Sequence, residues 1–162
     1  MHIKHTVTVA LAGALIAATP APAAGAGTVD FIIELSAPAH TAGHPVPLRL
    51  TLANVSLPVR VNTRLAVNDA REPAAFREVT VAIRKPSGRQ AAFRVDIKIG
   101  AAPAAKLVVL ATGRSVSRTI DLARYYELDE HGVYHVRATY ASAAPNTVAG
   151  PIASNTVRFT LH

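Results

Sequence analysis

The sequence predicts an all-β domain, an immunoglobulin-like antiparallel β-sandwich of about seven to nine strands. Three observations carry this. Apolar and polar residues alternate with a period of two along a series of short segments. Pro, Gly, Asn and Asp separate those segments, and only one short stretch has helical character. Strands in steady succession with little helix build a sandwich or a barrel.

In chain order, Val29 to Ser36 reads as the first strand. Val46 to Asn54 alternates, with Val46, Leu48, Leu50 and Leu52 on one face and Arg49 and Thr51 on the other. Val59 to Val67 is the third strand. Glu78 to Lys85 is the fourth, with Val79, Val81 and Ile83 inward, and a Pro86-Ser87-Gly88-Arg89 turn follows. Gln90 to Ile99 alternates again, with Phe93, Val95, Ile97 and Ile99 inward. Lys106 to Ala111 is short, and Ser115 to Leu122 places Val116 and Ile120 on one face. Asp121 to Leu128 is the helical candidate, with Asp121 as N-cap. Val133 to Tyr140 puts Tyr134, Val136, Ala138 and Tyr140 inward; Ser154 to Leu161 does the same for Val157, Phe159 and Leu161. The long loops are Ala37 to Pro45, Asn68 to Arg77 and Ser142 to Ala153.

Residues 1–26 read as a signal peptide and 27–162 as a single β-sandwich domain. Lys4 lies in a short cationic start, Val7 to Ala18 is an apolar run, and Thr19 to Ala26 is a small-residue tail. Cleavage fits after Ala23 or Ala26; the second is favoured, because Pro22 disturbs the extended pose at the first. The apolar run falls short of the roughly 20 residues that span a bilayer. Export to the periplasm or medium is expected, with no membrane insertion after cleavage. The Ala-rich, Arg-over-Lys composition resembles that of a high-GC bacterium. There is no cysteine, so packing alone must hold the domain.

The net charge is +7, and loss of Lys4 leaves 16 basic against 10 acidic side chains. The arginines are scattered singly, and the eight aromatics fall mostly at inward positions. Nucleic-acid modules expose aromatics between cations, so no nucleic-acid partner is expected.

Catalytic signals are missing. There is no cysteine nucleophile, Gly-x-Ser-x-Gly elbow or phosphate-cradling glycine loop. Asp129 and Glu130 are neighbours that would point apart on an extended chain and suit a turn or cap. No enzyme activity and no cofactor are expected. His40 and His44 could chelate a metal if their loop folds back, which makes a periplasmic metal carrier the alternative reading. On a strand that spacing would separate them by about 13 Å. The Asn68 to Arg77 loop offers an apolar tip at Phe76, rimmed by Arg71, Glu72 and Arg77, as a protein-binding surface. A strand edge is the other way such a domain grips a partner.

One motif is architectural. In Gly132-Val133-Tyr134-His135-Val136, preceded by Asp129-Glu130-His131, Tyr134 fits the tyrosine corner of immunoglobulin-type sandwiches. Val136 then holds the position where a cysteine often sits.

Several further pieces extend the pattern: Asn68-Asp69 with a proline-containing loop, Pro86-Ser87-Gly88, Leu110 to Val116, Ile120-Asp121-Leu122, Tyr126, and Ser154-Asn155-Thr156-Val157-x-Phe159. Taken together they resemble the N-terminal β-sandwich domain that precedes the catalytic domain in secreted deuterolysin-type zinc endopeptidases. The resemblance runs loosely over nearly all of the chain after the leader. It implies the same fold, and a secreted protein or protease as partner. No His-Glu-x-x-His occurs, so it carries over no peptidase residue and implies the accessory domain without its enzyme.

Overall fold

The computed structural model describes residues 28–69, 71, 77–94, 104–148 and 150–162. Among them the elements run β1 (Val29–Leu35), β2 (Ala39–His40), β3 (Pro47–Asn54), β4 (Val59–Asn62), β5 (Val79–Arg84), β6 (Leu107–Leu110), β7 (Ser115–Asp121), α1 (Leu122–Tyr125), β8 (Gly132–Tyr140) and β9 (Ile152–Leu161). The fold is an all-β sandwich. One layer has the order β1-β3-β7, antiparallel throughout, and the other has the order β2-β9-β8-β5. β2 pairs parallel to β9, so the N-terminal segment passes from one layer to the other between β1 and β2. β4 and β6 form a separate antiparallel pair.

The alternation in the sequence becomes the two inner faces. Leu48, Leu50 and Leu52 of β3 are fully buried, as are Val79 and Ile83 of β5 and Tyr134, Val136 and Tyr140 of β8. Arg49 and Arg158 face solvent. Rings meet across the layers, with Phe31 of β1 and Tyr140 of β8 6.0 Å apart. No disulfide reinforces this core, so burial of these aliphatic and aromatic side chains supplies the main driving force.

Two tyrosines of β8 work as clamps. The Tyr134 hydroxyl donates to the Glu130 carbonyl and accepts from the Glu130 N–H, both at 2.8 Å. Its ring stacks on Phe159 at 5.0 Å. This is the corner expected from the sequence. Gly132, at φ +125°, is required there: a Cβ would lie 3.0 Å from the Pro86 ring. Tyr140 makes the same double contact with Asn62, accepting from its N–H at 3.1 Å and donating to its carbonyl at 3.3 Å. That fixes β4 against the sandwich.

Asp121 caps α1, accepting from Ala123 N–H at 3.0 Å, and it also holds the Val46 N–H at 2.8 Å. The helix is a single turn, shorter than the stretch predicted. The Val59 to Val67 segment stops being a strand after Asn62. There the Asn62 side-chain oxygen accepts from the Arg64 N–H at 3.2 Å, and Leu65 takes a positive φ of 45°. Gln90 and Phe93 make only isolated bridges, to Arg84 and Tyr126, so this part of the predicted Gln90 to Ile99 strand follows the rim of β5 and α1 instead of a ladder. Val95, Ile97 and Ile99 lie outside the described residues.

Candidate interaction edge

A sandwich leaves strand edges whose backbone groups need an occupant or a guard. The edges here are managed in different ways. On β1, the outward N–H and C=O of Ile33 are both held by the Asn155 side-chain amide, at 2.8 and 3.0 Å. On β5, Val79 exchanges bonds with Ala66 and Asn68, and Ile83 receives the Ala91 N–H. Between them the Tyr126 hydroxyl bonds the Val81 backbone, and burial pushes that phenol well above its ordinary pKa. On β7, the exposed residues Ser115, Ser117, Arg118 and Thr119 make a polar, cationic border. Arg118 also reaches across to the carbonyls of Arg64 and Leu65.

Among the described residues, β6 combines outward backbone groups that have no partner with exposed apolar side chains. Thr63 donates to the Lys106 carbonyl at 2.9 Å, and β4 and β6 pair as Val61↔Val108 and Val59↔Leu110. In an antiparallel ladder the bonding alternates, so the N–H and C=O groups of Leu107 and Val109 point away from β4. Among the described residues none bonds to them. The side chains beside this open edge are apolar and exposed: Val109 is 65% exposed and Val108 43%. Leu57 and Val55, at 61% and 55%, lie on the turn that leads into β4. Most of the large exposed apolar side chains among the described residues are therefore gathered on this one unit.

The unit is held from behind by buried polar groups. The Asn54 amide donates to the Leu110 carbonyl at 2.7 Å and the Leu57 carbonyl at 2.9 Å. The Asn62 side-chain oxygen accepts from the Lys106 N–H at 3.1 Å, and its amide donates to Glu78 at 2.9 Å. Glu78 is buried, pairs with Arg64 through both carboxylate oxygens, and accepts the Ala66 N–H at 2.8 Å. These contacts tie the β4–β6 pair to the sandwich from its inner side.

The residues singled out in the sequence lie elsewhere. Arg71 is exposed and doubly bonded to Asp69, with Nη2 2.7 Å from one carboxylate oxygen. Those bonds hold the Asp69 carboxyl down at about 2. Arg71 and Asp69 line a groove of about 290 Å³ beside β5 with Gln90, Phe93 and Tyr126. Arg77 is half-buried and donates to Thr80 Oγ1 at 3.4 Å. Glu72 and Phe76 lie outside the described residues. His40 is half-buried, its Nε2 is 3.1 Å from the Ala37 carbonyl, and its ring sits edge-on to Phe159. His44 is exposed. Among the described residues no three His, Asp or Glu side chains are grouped as a metal ion would require.

Asp129 and Glu130 hold the β5–β8 end of the sandwich. Asp129 pairs with Lys85 Nζ at 2.6 Å, which lowers its pKa. Glu130 accepts from the Ser87 N–H and hydroxyl, both at 2.9 Å, and from Arg89 at 3.0 Å. The Ser87 N–H, followed by Arg89, lowers the Glu130 pKa.

The sequence offered a strand edge as a binding surface in general but did not single out β6. Its only sign was Leu107-Val108-Val109-Leu110, an apolar run without alternation that reads as a buried strand.

No protein-family model matches the chain, and no curated protein matches it. Among solved structures, it is similar to the β-glucosidase of Listeria innocua. The complex with isofagomine aligns at 13% identity and a TM-score of 0.35, and the complex with glucose at 12% and 0.34. In both cases 82% of this chain is covered but only 16% of the other.

Proposed function

We propose that this chain is an exported, non-catalytic interaction module that takes up an extended segment of another secreted protein along β6. The observation that carries the reading is that, among the described residues, the outward backbone groups of Leu107 and Val109 have no partner and lie beside exposed valines, whereas β5 is bonded along its outer side, Ile33 of β1 is held by Asn155 and β7 is bordered by polar side chains. An added strand satisfies those backbone groups and covers the valines in one step. The carboxylates with shifted pKa values each brace a turn or a corner, which supports a structural use for them. The resemblance to the accessory domain of deuterolysin-type endopeptidases makes a secreted peptidase the first partner to try.

Amide hydrogen exchange tests this. The purified protein is mixed with a peptide of about six alternating valines and threonines, a typical strand length. Slowed exchange at Leu107 and Val109 is expected. The variant Val109→Pro removes the outward donor without touching the β4–β6 bonds, and it should abolish the protection. Protection that appears on β7, or that survives Val109→Pro, refutes the reading.

A further inference from the structure

We infer that the segment received by β6 is acidic, with carboxylates flanking an apolar, strand-forming centre. This rests on the strand-addition reading and adds the chemistry of the partner. From Val55 to Asn68, and again from Ala104 to Ile120, the sequence holds no Asp or Glu. Those two stretches supply β4, β6, the turns around them and β7 up to Ile120; the Asp121 that ends β7 is taken up capping α1 and holding the Val46 N–H. They carry Arg60, Arg64, Lys106, Arg114 and Arg118. Arg64 is matched by Glu78, and Arg118 is committed to backbone carbonyls. Arg60, Lys106 and Arg114 are exposed, and no described side chain pairs with them.

Their placement follows the edge. Lys106 immediately precedes β6, and Arg60 stands directly opposite Val109 in the β4–β6 register. Arg114 begins the return into β7, where its carbonyl accepts the Asn54 N–H at 2.9 Å. An incoming strand therefore meets apolar side chains at its centre, with Lys106 at one end of β6, Arg114 in the turn beyond the other end, and Arg60 one strand further in. By contrast, the carboxylates at the β5–β8 end are already paired with Lys85 and Arg89. A second copy of this chain would bring like charges together at the same border, which is unfavourable. Charge complementarity selects an acidic partner instead.

The test uses two labelled peptides with the same Val-Thr centre, one ending in glutamates and the other in lysines, titrated into the purified protein and read by fluorescence anisotropy. The glutamate peptide should bind at least about tenfold more tightly at low salt, and the gap should narrow at about 0.15 M salt, where exposed charges are screened. The double variant Arg60→Glu/Lys106→Glu should reverse the preference. Equal, salt-independent binding of both peptides, still lost in Val109→Pro, overturns the acidic partner and leaves strand addition standing. Binding of neither peptide overturns both readings. So does binding that Val109→Pro leaves intact. A protein that sediments as a dimer, and becomes a monomer in Val109→Pro, places a second copy on the edge and overturns the acidic partner.

Discussion

Replacing Tyr134 by Phe removes one oxygen and leaves the ring stacked on Phe159. The loss falls on Glu130, whose N–H and C=O are both held by that hydroxyl. A buried backbone group left without a partner costs about 1–3 kcal/mol. Glu130 itself is half-buried, so water can repair part of the loss. The expected destabilisation is about 2 kcal/mol, between one unsatisfied group and two. In urea, with a slope of about 1.5 kcal/mol/M for a domain of this size, the midpoint should fall by about 1.3 M with the slope unchanged. A fall of less than about 0.3 M would show that the corner is held by the Glu130 carboxylate and its Ser87 and Arg89 partners instead.

Other outcomes follow from the same contacts. Glu78→Gln removes the buried charge that balances half-buried Arg64, and because Arg64 keeps some solvent contact the loss should be about 2–3 kcal/mol, read by urea unfolding; no change would mean that water already balances that guanidinium. Asn155→Ala frees both backbone groups of Ile33, and since Asn155 is exposed the global loss should be only about 1 kcal/mol. Its sharper signature is faster amide exchange at Ile33 with β3 and β8 unaffected. Asp69, Asp129 and Glu130 all have folded pKa values below the ordinary carboxylate range, so their contribution is complete above about pH 4–5 and is lost as pH falls through the folded values. Melting temperature should therefore fall between about pH 4 and 2, and Asp129→Asn/Glu130→Gln should flatten that slope; an unflattened slope places the acid sensitivity in other groups.

The strands that the sequence revealed are those buried on one side only. In β3 and β8 solvent lies on the outer face, so alternate positions must be apolar, and Leu48 to Leu52 and Tyr134 to Tyr140 show it. β2 was hidden because a pairing of two residues, Ala39 and His40 with Thr160 and Leu161, has no period to detect. Phe93 looked like a strand residue, yet it is drawn inward by Tyr125 and Tyr126 and not by a ladder. The site was harder still. Leu107 to Leu110 is apolar at every position, a pattern that usually means burial on both faces. Which border a strand occupies is fixed by the order of its neighbours, and that order leaves no local trace in the residues themselves. Asn62, Asn54 and Glu78, which brace the site from within, are polar residues whose burial depends on partners far along the chain.

The passage of the N-terminal segment from one layer to the other has a mechanical consequence. Because β2 lies parallel to β9, a pull that separates the two ends of the folded chain drives these strands past each other lengthwise. The bonds from Thr160 to Pro38, from His162 to His40 and from Ala42 to His162 stand across that pull and share the load. Once β1 has been drawn from β3, tension is borne by this small patch loaded in shear, which resists more force than the same number of bonds opened one at a time like a zip.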